Sequence, residues 1–229
     1  MIRTNRRATL LVGAALLAGC TQEPENGEEI PGNAQTPAAA APPTARRTGV
    51  WPEAVVREVL AMEQADQRVR ETVASLLSAT DPDTAAYRRA AMEQESVDRA
   101  NTTRLKEIIR EHGWPTKAEV GSPAATAAFL IVQHADHDLP FQKEYLTFVQ
   151  EEFQKGQAPG DAVALLTDVI RITEGQRQLF GTQITIVDGK LVVHPIEDEA
   201  QVDQRRAALK LGTLAEYIAR VKQAYGIPE

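Results

Sequence analysis

Residues 55–76 read VVREVLAMEQADQRVRETVASL, and their spacing decides the fold class. Val55, Val59, Met62, Asp66, Val69, Val73 and Leu76 recur at steps of three and four, which places them on one face of an α-helix. Trp51-Pro52 lies before the run and Asp81-Pro82 after it, so both ends are punctuated. The stripe is apolar except at Asp66. Burying a lone carboxylate is costly unless it is paired, and Arg70, one turn on, is the partner that helical spacing offers. Glu63 and Gln67 share the neighbourhood, so this face can equally line a polar pocket.

The same periodicity continues outward. Residues 84–112 predict a second helix, with Val97, Asn101, Leu105, Ile108 and His112 along one line and Asp98, Leu105 and Ile109 along its neighbour. Asp98 and Asn101 pose the Asp66 question again: an interhelical hydrogen bond or part of a site. Gly113 suits the position that ends this helix, Pro115 prevents its continuing, and Trp114 is expected to plug the corner. Ser122-Pro123 offers a cap and a first-turn proline for a nearly all-apolar, buried helix over 124–136. Amphipathic helices are predicted over 140–155 and 159–180, separated by Gly156 and Gly160. The period then changes: Ile184, Ile186, Leu191 and Val193 flank Asp188-Gly189, a strong hairpin signal. Helices over 202–211 and 213–225, broken at Gly212, close the chain. The expectation is a mainly α single domain, a bundle-like array of six to seven helices. Its one β-hairpin, marginal alone, should pack on the helices.

Three polar groupings are candidates for chemistry. Gln133-His134-Ala135-Asp136-His137-Asp138 ends the most apolar helix, and helical spacing would pair Gln133 with His137 and His134 with Asp138. Two histidines and two acids at a buried helix end can bind a divalent metal, with His134 and His137 as ligand candidates, or supply a general base and its orienting carboxylate. A hydrogen-bonded histidine beside a solvated helix end accounts for the same residues. The three-residue spacing of His134 and His137 does not match zincin spacing, and the chain has no Glu-x-x-His. Asp168 sits among apolar neighbours Leu165, Val169 and Ile172, with Gln176 two turns on. Gly181-Thr182-Gln183 then joins that helix to the hairpin, where a side-chain amide can reach back into the core; caps and turn bonds explain it equally well. No nucleophile elbow, P-loop, dinucleotide fingerprint or EF-hand loop is present, and the reading leaves any cofactor open.

The N-terminus points to an address. Arg3, Arg6 and Arg7 precede the apolar stretch 8–18, and Leu17-Ala18-Gly19 leads into Cys20, the sole cysteine of the 229-residue chain. This arrangement resembles a bacterial lipoprotein signal peptide with its lipobox. The resemblance implies residues 1–19 as the signal, lipid (palmitate included) on Cys20, and membrane attachment through that anchor. Thr21 rather than Asp after the cysteine favours, by the same resemblance, an outer-membrane anchor facing the periplasm where the source has two membranes. Asn5-Arg6-Arg7 also resembles a twin-arginine export signal, so the export route stays open. Residues 20–49, with five prolines and few large apolar residues, read as the lipidated cysteine and a disordered linker, and 50–229 as the folded domain. Removing three arginines leaves 22 basic residues against 32 acidic ones, a net charge of −10. That charge argues against nucleic-acid binding. No thiol chemistry is available to the folded part.

An ordered set of short motifs resembles a bacterial domain-of-unknown-function family. The pieces are Asp66-Gln67 with Arg70, Gly113-Trp114-Pro115-Thr116 followed by Val120-Gly121, Gln133-His134-Ala135-Asp136, Gly181-Thr182-Gln183, and Arg205-Arg206 before Leu211-Gly212. Asp168-Val169 departs from the Asp-Arg that the family pattern has there. The resemblance implies a shared polar site without naming a substrate. Two functions are carried forward. One is a lipid-anchored envelope protein that binds a small-molecule or protein partner through a polar site between helices, drawn from Asp66, Gln67, Arg70, Asp98, Gln133, His134, Asp136, Asp168 and Gln183. The alternative is a hydrolase-like or metal-dependent enzyme in which Asp66, Asp98, His134 and Asp168 converge from four helices.

Overall fold

A computed structural model describes residues 10–12, 48–78, 84–187, 190–224 and 226–227. Cys20, most of the signal-like segment, the linker up to residue 47 and the Asp188-Gly189 turn lie outside the described residues. Helices α1 (Glu53–Ser78) and α2 (Thr84–His112) pack against each other, and both contact α4 (Ser122–Gln133). The α1 stripe faces inward: Val59, Val69 and Val73 are buried, and so is Asp66. On α2 the buried positions include Asn101, Leu105 and Ile108, the line that the periodicity marked. Gly113 ends α2 at φ 87°, a conformation open to glycine, and its N–H donates to the Ile109 carbonyl at 2.8 Å. Trp114 fills the corner, stacked on Phe141 and Phe148 with ring centroids at 6.3 and 5.1 Å.

Helix α4 is the hub, in contact with α1, α2, α3 (Lys117–Val120), α5 (Leu139–Gln154) and α6 (Gly160–Thr173), and Ala127 through Gln133 are all buried. Its N-cap is Gly121 at φ 80°, so Ser122 is the first helical residue rather than the cap the sequence suggested. Helix α3 (Lys117–Val120) was not expected. Thr116 and Glu119 have the spacing of a capping box, and the Thr116 hydroxyl donates to Glu119 at 2.8 Å. Helix α5 (Leu139–Gln154) starts on Asp138, which accepts the Phe141 N–H, and packs on α6 (Gly160–Thr173). Two helices end earlier than periodicity predicts. α4 stops at Gln133 rather than 136, and α6 stops at Thr173 rather than 180, with Gly175 at φ 74° turning the chain.

The hairpin pairs β2 (Ile184–Val187) antiparallel with β3 (Lys190–Val193), Ile184 opposite Val193. Leu10–Val12, β1, lies antiparallel on the other edge of β2. A 3-10 turn (Glu199–Gln201) leads into α7 (Val202–Ala208) and α8 (Leu214–Ala224). Ile184, Tyr217 and Val221 form a small second cluster joined by Leu191, Val193 and Leu214, so the hairpin packs on α8. The eight α-helices among the described residues make a mainly α domain with one hairpin, the short α3 being the helix beyond the predicted set. None of the described helices is long and apolar enough to cross a membrane.

Gly160 is where α6 meets the end of α7: a Cβ there would lie 1.9 Å from the Leu209 carbonyl oxygen. Glycine to alanine in a helix ordinarily stabilises by up to about 1 kcal/mol. Here backbone overlap reverses the sign, and Gly160→Ala should lose roughly 1–3 kcal/mol, read from urea unfolding.

Candidate functional site

Arg70 stands at the meeting point of three helices. It sits one turn after Asp66 on α1, and its Nε donates to the Asp66 carboxylate at 3.2 and 3.3 Å. One terminal nitrogen, Nη2, donates to Asp98 Oδ1 on α2 at 2.7 Å and lies 3.2 Å from Asp66 Oδ1. His134, just past the end of α4, brings Nδ1 to 2.9 Å from Asp66 Oδ1 and 2.9 Å from Arg70 Nε. Gln67 adds an amide hydrogen bond to Asp66 at 3.2 Å. Asp66 is 1% exposed and His134 8%, so this polar knot lies inside the bundle.

The early end of α4 makes the knot possible. Gln142 on α5, fully buried, donates to the carbonyls of Val132 and Gln133 at 3.2 and 3.0 Å, satisfying acceptors that the last helical turn leaves open. His134 then turns to α1 instead of pairing with Asp138. The expected pairs Gln133–His137 and His134–Asp138 do not form, because a helix that stops at Gln133 carries no four-residue spacing through them. Asp138 caps α5 and pairs with Lys106 at 2.7 Å. His137 lies on an outer cleft with Arg99, Thr102, Thr103, Lys106 and Asp138, so it is not a companion to His134. Asp136 is exposed and accepts from Gln142 at 3.3 Å. Gln133 is buried with its side-chain oxygen unpartnered. Asn101 donates to the Met62 carbonyl at 3.1 Å, an interhelical bond. Sequence reasoning passed over Gln142. Its signal was a polar residue in the line Leu139, Gln142, Leu146, Val149, the same interruption that drew attention to Asp66.

Asp168 and Gln183 belong to a different network. The Asp168 carboxylate accepts backbone N–H groups from Leu179, Phe180 and Thr182 at 2.7, 3.1 and 2.9 Å, and the Thr182 hydroxyl at 2.8 Å. Gln183 donates to the Leu165 carbonyl at 3.4 Å, and Gln178 bonds the backbone of Gln183 and His194. Arg206 ties Phe180 and Gly212 together through their carbonyls. This is a fastener that folds residues 176–183 back over α6, and its full set of partners is why α6 ends early. Asp168 shares no hydrogen bond with Asp66, Asp98 or His134, so the four-helix convergence reduces to three.

The electrostatics of the knot divide its groups. Burial pushes the Asp66 carboxyl up, but the His134 hydrogen bond and the charge of Arg70 outweigh it and leave Asp66 below its ordinary range. Burial, with the charge of Asp66 and a hydrogen bond to it, raises Asp98 to about 7 in spite of Arg70. Burial holds His134 below its usual value although Asp66 opposes the shift. His134 Nδ1 can serve only one neighbour. An ionised Asp66 cannot donate, so the proton belongs on Nδ1, pointing at Asp66, and Nε2 is a bare lone pair. Nε2 is buried and has no hydrogen-bond partner. A carboxylate-oriented imidazole with a free distal nitrogen can accept a proton or bind a Lewis acid, beside a second carboxyl poised near neutrality.

Because the folded pKa of Asp98 exceeds its unfolded value, its contribution to stability is complete at acid pH and is lost as pH rises through about 7. Between about pH 4 and 7, urea-unfolding stability of Asp98→Asn relative to wild type should therefore rise with pH, by up to roughly 1.4 kcal/mol per unit. A flat difference would place the proton elsewhere. No curated protein and no solved structure matches the chain. Residues 53–228 match the model of one family, DUF6624, described as a family of unknown function.

Proposed function

We propose that this chain, which belongs to DUF6624 over nearly all of its folded part, is a lipid-anchored protein of the bacterial envelope that binds a small polar ligand between α1, α2 and α4. The observation that carries the ligand reading is the buried knot itself. Two carboxylates share one guanidinium, an imidazole bonds one of those carboxylates, and the imidazole's buried Nε2 has no partner. Unsatisfied buried polar atoms cost about 1–3 kcal/mol each, and binding sites are where such costs persist. Asp66, Arg70, Asp98 and His134 make the contacts in this reading, Gln67 borders them through its bond to Asp66, and Gln142 holds the end of α4. The membrane address rests on the lipobox resemblance around Cys20 and on Thr21 after it.

A second reading has a specific observation in its favour. The Asp66–His134 pair with a free Nε2 is the arrangement of a general base, so the ligand can also be a substrate. In that case Asp66 orients the ring, Arg70 and Asp98 hold the reacting group, and the chemistry is proton abstraction or activation of water.

Full-length protein, purified gently from membranes in mild detergent, should carry a small molecule detectable by native mass spectrometry. His134→Ala and Arg70→Gln, checked for folding by circular dichroism, should lose it. Retention by both folded variants would move the ligand away from the knot. For the address, Cys20→Ser should abolish incorporation of labelled palmitate, which the wild type takes up; equal labelling of both would remove Cys20 as the anchor.

A further inference from the structure

Asp66, Asp98 and His134 come from three different helices, yet one candidate ligand atom from each lies within 4.8 Å of the other two. Ligands about 2.0–2.2 Å from a shared ion stand roughly 3–4.4 Å from one another, so small rotamer adjustments close the set. Nothing in the chain's spacing brings these residues together, since Asp66 and His134 are 68 positions apart. Sequence alone offered His134 with His137, and the fold separates that pair.

Three features point from this juxtaposition to a cation. The donor set is mixed, two carboxylates and an imidazole, which suits a first-row divalent ion better than calcium or magnesium. The two carboxylates share a single guanidinium at 3.2 and 2.7 Å, so each acid is served in part by the same group. His134, nine-tenths buried, has its Nε2 without a hydrogen-bond partner, an orphan that coordination of an ion by that nitrogen would resolve. Arg70 is the group in the way. At 23% exposure its side chain has a route outward, and a divalent ion is the species able to take its place against both carboxylates.

We propose that Asp66, Asp98 and His134 form a binding site for a divalent transition-metal ion, which displaces the Arg70 guanidinium from the two carboxylates. The proposal rests on the reading of the knot as a binding site and names the class of its ligand. Three protein ligands leave coordination positions open, as sites that act on a bound molecule do. Released Arg70, still tethered beside the ion, is then placed to meet an anionic group coordinated to it.

The test uses the full-length protein in detergent, stripped with a chelator and titrated with Co2+ and with Zn2+. The expected result is one ion per chain, a visible d–d absorption for Co2+, and a rise in melting temperature that grows with metal concentration. Asp98→Asn and His134→Ala should weaken binding at least about tenfold. Arg70→Gln should tighten it by about tenfold, because the competing cation is gone; a residue that only stabilises the fold would not do this. Absence of saturable binding up to about 1 mM metal, affinity unchanged in Asp98→Asn and His134→Ala, or weaker binding in Arg70→Gln would each overturn the proposal. If the metal fails while the knot variants still lose a co-purifying small molecule, the binding-site reading survives and the metal does not. If the metal binds and no organic molecule co-purifies, the ion is itself the ligand.

Discussion

One guanidinium fastens α1, α2 and the end of α4 to one another. Arg70 bonds a carboxylate on its own helix, a carboxylate on α2 and approaches the imidazole that follows α4, so the three helices that meet there share a charged fastening. Around it the packing is ordinary apolar core: Val59, Leu105, Ile108 and Val132 are fully buried. The contrast is instructive, because hydrophobic burial favours compactness without fixing rotation, whereas a buried ion pair tolerates only a narrow geometry. Breaking it by removing one partner leaves an uncompensated buried charge, so the fold cannot drift far from this arrangement without loss. The same constraint keeps two acids of unlike proton affinity next to each other.

The other half is organised by a different principle. Asp168 gathers three backbone N–H groups and a hydroxyl, Gln178 grips the chain at Gln183 and His194, and Arg206 bridges Phe180 to Gly212. Here the buried polar side chains serve backbone atoms, and nearly every donor finds an acceptor. In the knot, side chains serve one another and His134 Nε2 is left over. What the buried side chains serve, backbone atoms in one region and ionisable neighbours in the other, separates the region that fits a structural role from the region that fits a binding one.

Much of the fold was legible because helices declare themselves locally. The stripe from Val55 to Leu76 and the lines through Leu105 on α2 located the two longest helices, and the Gly113-Trp114-Pro115 corner fell where glycine and proline chemistry put it. The Asp66–Arg70 contact was readable for the same reason, being a single turn apart. What resisted reading depends on contacts across the chain. α4 ends early where Gln142, from α5, takes its last carbonyls, and the chain after α6 folds back so that Asp168 on that helix accepts the N–H groups of Leu179, Phe180 and Thr182. His134 meets Asp66 only because α4 stops at Gln133. The pairings drawn for Gln133 and His134 assumed a helix that continues, and they failed with it. Asp168 looked like Asp66 from the sequence, an acid on an apolar face, and only its partners distinguish a fastener from a member of the knot.

The start of the body has a consequence for orientation. Thr48 bridges to Trp114, Gly49 packs against the carbonyl of His112, and Trp51 donates to Gly113, so the chain joins the domain at the far end of the α1–α2 pair. Asp66 is the fourteenth residue of α1, about 20 Å along the helix axis from Glu53, where the helix begins. The tryptophan corner and the charged knot thus stand about half the length of α1 apart, held at a fixed separation by that stiff rod.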